Sequence, residues 1–428
     1  MVNEFGNSLF QFSCCSDFLV HRTLIDNPNF IVYKMATAAN NNGYEVLIEL
    51  QASVVKDENS SPPFYLSRPK IQKLYAYQRF QANSNDVRLP YFIEPRSYPI
   101  DLNKGFEKFI FRQLADFSKM LETTQKFIVD SEENVLQPYR SENPETHQSS
   151  KTEDDESYQQ RQNSKRKLVL SNRGCLSNIM IIPYRLVASK YNDKTIFATR
   201  YCGVLHISDY RYDNDTSRIN TYHSKFQQTC FSDDPDLIPD TDEPVNENDY
   251  IRGIFHTNLK EFDLIYSGEL SGIVSNHKID DMQNMENINK LQFISTKLLW
   301  NSDHSNFWKH PKCLNWWATL YLANTSDLCV GLKDRDGIIR TPLQRKPVKD
   351  LPKDQSWKPK ICIRFLLTML ELIEKNMSSV NCPYTVYEFV YDSFAKCIKL
   401  KKHIGKTEYS FLSKEYIERC RKQTSMSC

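Results

Sequence analysis

Residues 261–273 read EFDLIYSGELSGI. Apolar and small residues run through the stretch without a proline, as in a buried strand bounded by turn signals. In its last eight residues, YSGELSGI at 266–273, Glu269 is the lone acid. Residues two apart on a strand share a face. A metal-dependent nuclease would therefore want a second acid at Ser271. Whether this chain cuts anything depends on where its other acids are.

The chain has 428 residues, enough for a large core, and 40% of them are hydrophobic, with 24 Phe and 23 Tyr. With 11 Gly and 19 Pro, fibrous and low-complexity classes are excluded. A formal charge of +2 does not by itself point to nucleic acid, although a local basic groove is compatible with it. Twelve cysteines fall without CxxC pairs, so they read as reduced core thiols and neither zinc ligands nor a disulfide framework. No apolar run has the length to cross a bilayer, and the N-terminus lacks the pattern of a signal peptide. The expectation is a soluble protein of the cytoplasm or nucleus.

Along the chain, residues 1–60 form an N-terminal extension with one strand candidate, YEVLIEL at 44–50. Residues 61–129 open the folded domain, and the apolar spacing of GFEKFIFRQLADFSKMLETT predicts a helix over 105–124. Residues 130–167 are almost devoid of apolar side chains and read as a disordered polar insertion, because they cannot offset their ordering entropy. The insertion ends in SKRK, a weak nuclear-import patch or a solvated charge run. Residues 168–428 complete the domain. In them LQFISTKLLW reads as a strand, HPKCLNWWATLYLA as a helix opened by Pro311, LCVGLKDRDGIIR as a hairpin and ICIRFLLTMLELIEKN as an apolar helix. An acidic loop spans 233–249. The mixture predicts an α/β (α+β) fold.

RGCLSNIMIIPY, GVLHISDY, KFQQTCF, YSGELSGI, HPKCLNWWATLYL, VGLKDRDGIIR and FLSKEYIERC occur in that order. Together they resemble the DXO-type decapping nucleases of RNA 5′ ends, over about residues 62–420. The resemblance implies one domain with two mixed β-sheets, flanking helices and an active site in a deep groove. Active members use Mg²⁺ or Mn²⁺ to hydrolyse RNA and to remove incomplete or non-standard caps. Hard divalent cations require converging carboxylates. The family carries a glutamate in its second motif, Glu-x-Asp in its third and Glu-x-Lys in its fourth. Here the second reads Lys225-Phe226-Gln227 and the third Glu269-Leu270-Ser271, while the fourth is placed on Ile294-Ser295-Thr296. A glutamine expected on the Trp-Trp helix is Thr319. No acid occurs from Asn287 to Ser302, or from Thr216 to Ser232.

Glu269 is thus an incomplete remnant of a metal site, and the plainer reading is a buried acid paired with Arg173 or Lys297. Arg173, Lys225, Lys297 and Lys312 are the RNA-binding candidates. Trp316 and Trp317 have the choice of base stacking or core packing, and core is favoured for Trp317. No cofactor is expected, with Mg²⁺ or Mn²⁺ needed only if the chain is an active decapping nuclease or 5′→3′ exoribonuclease. The degenerate branch of the family implies a nuclear germline factor of the piRNA pathway. It would work with chromatin-associated partners of the Rhino and Deadlock type, and hold RNA 5′ ends. A third implication is a partner that stabilises a 5′→3′ exonuclease.

Overall fold

The computed structural model describes residues 43–49, 66–77, 87–112, 119–131, 135–136, 166–185, 193–209, 217–301 and 307–425. Strands β1 (Glu45–Glu49), β2 (Lys70–Tyr77), β3 (Tyr91–Phe92) and β4 (Ile100–Asp101) precede helix α1 (Glu122–Asp130). β5 (Lys167–Asn172) runs directly into α2 (Arg173–Ile181). A hairpin of β6 (Lys194–Tyr201) and β7 (Val204–Asp209) leads to α3 (Arg218–Cys230) and β8 (Phe231–Ser232). A second hairpin, β9 (Tyr250–Leu259) and β10 (Phe262–Leu270), continues into β11 (Gly272–Val274), the single turn α4 (Met285–Ile288) and β12 (Gln292–Trp300). Then come α5 (Lys312–Tyr321), β13 (Asp327–Lys333), β14 (Ile338–Ile339), β15 (Gln344–Pro347) and α6 (Pro359–Met377). The hairpin β16 (Val386–Asp392) and β17 (Cys397–His403) precedes α7 (Lys414–Ser425).

The strands form two mixed sheets, as the family resemblance implies. The nine-stranded sheet has the order β1-β17-β16-β6-β7-β5-β10-β9-β2, and the eight-stranded sheet runs β4-β14-β13-β12-β11-β3-β8 with β15 paired to β13. The stretch 261–273 belongs to both. β10 lies between β5 and β9 in the first sheet, and β11 lies between β12 and β3 in the second. Ser271 is the single residue between them. Gly272 makes this transfer feasible, since a Cβ there would stand 2.4 Å from the Pro90 carbonyl oxygen and 2.6 Å from the Phe231 ring.

Three apolar clusters hold the layers. Phe262, Leu264 and Tyr266 of β10, Phe293 and Leu299 of β12, and the inner faces of α2, α5 and α6 share the largest. On the other side of the nine-stranded sheet, Leu168, Leu170 and Ile265 pack against Ile128 of α1 and Tyr416 and Ile417 of α7. Under α3, Tyr222, Phe226 and Cys230 meet Ile294, Cys329 and Ile339. Trp316 and Trp317 are both buried, and Trp317 packs on Tyr321 and Trp357, so these rings belong to the core. Seven of the described cysteines are buried and none is in a disulfide. Among the described residues no helix is long and apolar enough to cross a membrane.

Several sequence expectations need correction. The helix over 105–124 does not form as drawn. Phe106–Lys108 is one 3₁₀ turn entered from Gly105 at φ 80, Ile110 bridges to Asn246, and α1 begins only at Glu122. Ile110, on the expected apolar face, is 48% exposed, and the backbone there pairs with another segment. Part of the N-terminal extension, β1, is an edge strand on β17. The insertion 130–167 is narrower than drawn: Asp130 ends α1, Leu136 is buried and Lys167 starts β5. Its interior, 137–165, lies outside the described residues. In SKRK, Arg166 is ion-paired to the buried Asp263 and Lys167 is in the sheet, so half of that patch is structural.

Candidate functional site at the junction of the sheets

The hairpin turn at Lys260-Glu261 sets β9 against β10 so that Arg252 is the cross-strand partner of Glu269. Arg252 Nη2 lies 3.2 Å from Glu269 Oε1. Arg112, arriving on the segment that follows Ile110, approaches the same oxygen at 2.6 Å. It is held there by its own contacts. Its Nε donates to the Glu247 carbonyl at 2.8 Å, and its backbone N–H donates to the Glu247 carboxylate at 3.2 Å. Its guanidinium lies 3.9 Å from the Tyr250 ring centre, and Tyr250 is stacked on Tyr77. Ser224 also donates to Glu247.

Arg173 takes a different part. Asn172 caps α2 by accepting from the Cys175 N–H at 2.7 Å, which places Arg173 at the first helical position. Its Nη1 donates to the backbone carbonyl of Glu269 at 2.5 Å, and Gly268 leaves the space its stem fills, since a Cβ there would lie 3.0 Å from it. The pairing foreseen for the Glu269 carboxylate, with Arg173 or Lys297, is therefore corrected: Arg112 and Arg252 bind its oxygen. Burial would push the Glu269 carboxyl up, but Arg112, Arg252 and Arg173 together hold it down at about 2.

The other motif positions gather beside it as neutral groups. Gln227 on α3 donates through Nε2 to Ser271 Oγ at 3.3 Å, and Ser271 Oγ lies 3.1 Å from Ser295 Oγ. This corrects the placement of the fourth motif. Ile294 and Thr296 are buried on the opposite side of β12, with Ile294 among the residues under α3. Ser295 and Lys297 are the positions on the Glu269 side, so Glu-x-Lys corresponds to Ser295-Thr296-Lys297, and the lysine is retained. Burial first, and then Arg173, lower Lys297 to about 8, so it stays largely charged at neutral pH. His223, one helical turn before Gln227, is lowered to about 3 by burial and then by Lys297, and is neutral.

Two of the RNA-binding candidates lie elsewhere. Lys225 is buried, and its Nζ donates to Gln228 Oε1 and to the Thr241 carbonyl, both at 2.8 Å, fastening the acidic loop. Lys312 is exposed at the start of α5, near Lys333. Neither it nor Thr319 takes part in the contacts around Glu269. Sequence reasoning missed Arg112, Arg252, His223 and Ser295. For Arg252 the hairpin register was the available signal, and for His223 its four-residue spacing from Gln227.

A divalent metal of the kind the family resemblance implies does not fit these residues. The one carboxylate is already paired with two guanidinium groups, and the remaining positions are an amide and two hydroxyls within hydrogen-bond reach of one another. Among the described residues no group of three or more His, Cys, Asp or Glu side chains gathers to hold an ion.

Comparison with known proteins agrees with the architecture. The chain is 21% identical over 341 residues to the decapping and exoribonuclease protein Rai1 of Drosophila melanogaster, covering 76% of this chain and 85% of that one. It is 28% identical over 104 residues to the Drosophila melanogaster protein cutoff, covering 24% of this chain and 27% of the other. Among solved structures, Candida albicans Rai1 in complex with pU5-Mn²⁺ superposes with a TM-score of 0.62 at 14% identity, covering 87% of this chain and 98% of that chain. S. pombe Rai1 in complex with 3′-FADP gives 0.57 at 17%, with 82% and 98% covered. The family described as RAI1 like PD-(D/E)XK nuclease matches residues 67–417, and the chain belongs to that family.

Proposed function

We propose that this protein is a non-catalytic member of the decapping-nuclease family that holds RNA 5′ ends instead of cleaving them. It works in the nuclear germline piRNA pathway, in a complex of the Rhino–Deadlock–cutoff type. There it promotes transcription of dual-strand piRNA clusters and protects their transcripts from termination, splicing and decay, for transposon silencing. The observation that carries the first part is Glu269 held by Arg112 and Arg252, with Gln227, Ser271 and Ser295 where acids would be needed. A guanidinium cannot bind and acidify a water as a divalent ion does. The pathway assignment draws on the local likeness to cutoff. The acidic loop supports a docking role. It is fastened by Lys104–Asp242 and Lys278–Asp234 pairs, yet Leu237 and Ile238 are 61% and 80% exposed.

The test is an Mn²⁺-dependent assay on 5′-monophosphorylated RNA. No turnover is expected, and turnover abolished by Glu269→Gln would sink the proposal. A pull-down from germline nuclei should recover Rhino- or Deadlock-type chromatin proteins. Recovery of a 5′→3′ exonuclease in their place would reassign the partner.

A second reading draws on the same family match and on the longer alignment to Drosophila Rai1. It makes the chain an active metal-dependent decapping nuclease or 5′→3′ exoribonuclease on incompletely or non-standard capped RNA. Asp263, a candidate extra acid for that reading, is buried and committed to Arg166. Asp303 lies outside the described residues. The same assay decides between the two.

A further inference from the structure

Arg112 lies outside the segments that carry the family resemblance, yet it makes the shortest ion pair of the junction. Four cations, Arg112, Arg173, Arg252 and Lys297, surround Glu269, and a second carboxylate, that of Glu247, accepts from the Arg112 backbone N–H. The local balance is therefore two positive charges in excess. Arg112 is also braced before any ligand arrives, by the Glu247 carbonyl, the Glu247 carboxylate and the Tyr250 ring. Such bracing removes the rotamer entropy that a free arginine would lose on binding an anion.

We propose that Arg112 is a tethered cation. It supplies beside Glu269 the positive charge that a bound divalent ion would otherwise bring, so that the junction takes a terminal phosphate monoester without metal. The inference rests on the non-catalytic reading and assigns that site its charge source. A guanidinium offers donors in a plane, which suits the oxygens of a phosphate, and no coordination position for an attacking water. Charge for holding is kept and the means of hydrolysis is absent.

The experiment measures binding of a 5′-phosphorylated uridine pentanucleotide, with its 5′-hydroxyl counterpart as control, in EDTA and in Mn²⁺. The wild-type protein should prefer the phosphorylated probe equally in both. Arg112→Ala should lose roughly tenfold in EDTA, the scale of one charged hydrogen bond, and millimolar Mn²⁺ should not restore it, since Glu269 stays paired with Arg252 and a single carboxylate holds the ion weakly. Arg112→Lys keeps the charge but loses the planar fork, so it should bind between wild type and Arg112→Ala, which separates loss of charge from failure to fold. Equal binding by wild type and Arg112→Ala in EDTA would overturn the tethered-cation role and leave the non-catalytic reading standing. Wild-type binding that needs Mn²⁺ but brings no cleavage would also overturn it. Cleavage of the probe in Mn²⁺ would overturn both.

Discussion

Glu269 and Lys297 carry opposite shifts for reasons that can be separated by titration. The Glu269 carboxyl is held at about 2 against an ordinary value of 4.5, so it contributes stability above pH 4.5 that is lost as pH falls toward 2. Glu269→Gln should lower the melting temperature at neutral pH, and the two proteins should converge across that acid window. Because the side chain is 40% exposed, solvent screening trims the difference. Parallel curves from pH 7 to pH 2 would show that the arginines do not act through charge. For Lys297, lowered to about 8, the readout is ligand affinity. Binding of a phosphorylated oligonucleotide should weaken by roughly tenfold as pH rises through 8 and the ammonium is lost. Lys297→Arg should keep the profile flat across this range, and a wild-type profile without a step near 8 would remove Lys297 from the site. The residue-level reading of the sequence found this lysine but placed the motif one position early. In QFISTKLLW, Phe293 and Leu299 face one core and Ile294 another. A strand buried on both faces loses the alternation that would have fixed its register.

Elements were legible where one face alone is apolar or a turn dictates pairing. The Trp-Trp helix is such a case. Its Pro311 cap, and a buried face containing Leu314, Trp317 and Ala318, agree with the pattern in the sequence. Trp317 is 2% exposed and lies between Tyr321 and Trp357, so Trp317→Ala should cost about 3–5 kcal/mol in a denaturant titration. If the ring instead stacked on a base, the variant would keep its stability and lose RNA affinity. The hairpin at Lys260-Glu261 was missed because its turn lacks the Asn-Gly or Asp-Gly signal, although counting back equally along both strands would have given the Arg252–Glu269 pair. The segment bearing Arg112 offered no comparable handle. Among the described residues its backbone is tied through a bridge at Ile110 and hydrogen bonds to residues 245–247, and no local spacing encodes a contact of that sequence separation.

Across the whole molecule, the two sheets and α3 still converge on one point although the acids are gone. The Gln227–Ser271–Ser295 hydrogen bonds tie together the elements that a bridging ion would otherwise join. A net charge of +2 conceals this, since the local excess of cations is offset elsewhere, as in the acidic loop. If the backbone has kept its geometry, restoring the acids should restore metal affinity. The variant Gln227→Glu, Ser271→Asp, Ser295→Glu would place four carboxylates, with Glu269, around the junction. Without metal the desolvation of three added charges, Ser295 being buried, should lower its melting temperature below wild type. Adding Mn²⁺ should raise it again, since a ligand at a hundredfold its dissociation constant stabilises the native state by about 2.7 kcal/mol. Removing Arg112 from this variant should enlarge the Mn²⁺-dependent rise, because the guanidinium and the ion compete for Glu269. A variant that folds, yet shows no response to Mn²⁺ with or without Arg112, would mean that the backbone has drifted along with the side chains. The junction would then be a new site built on an old scaffold.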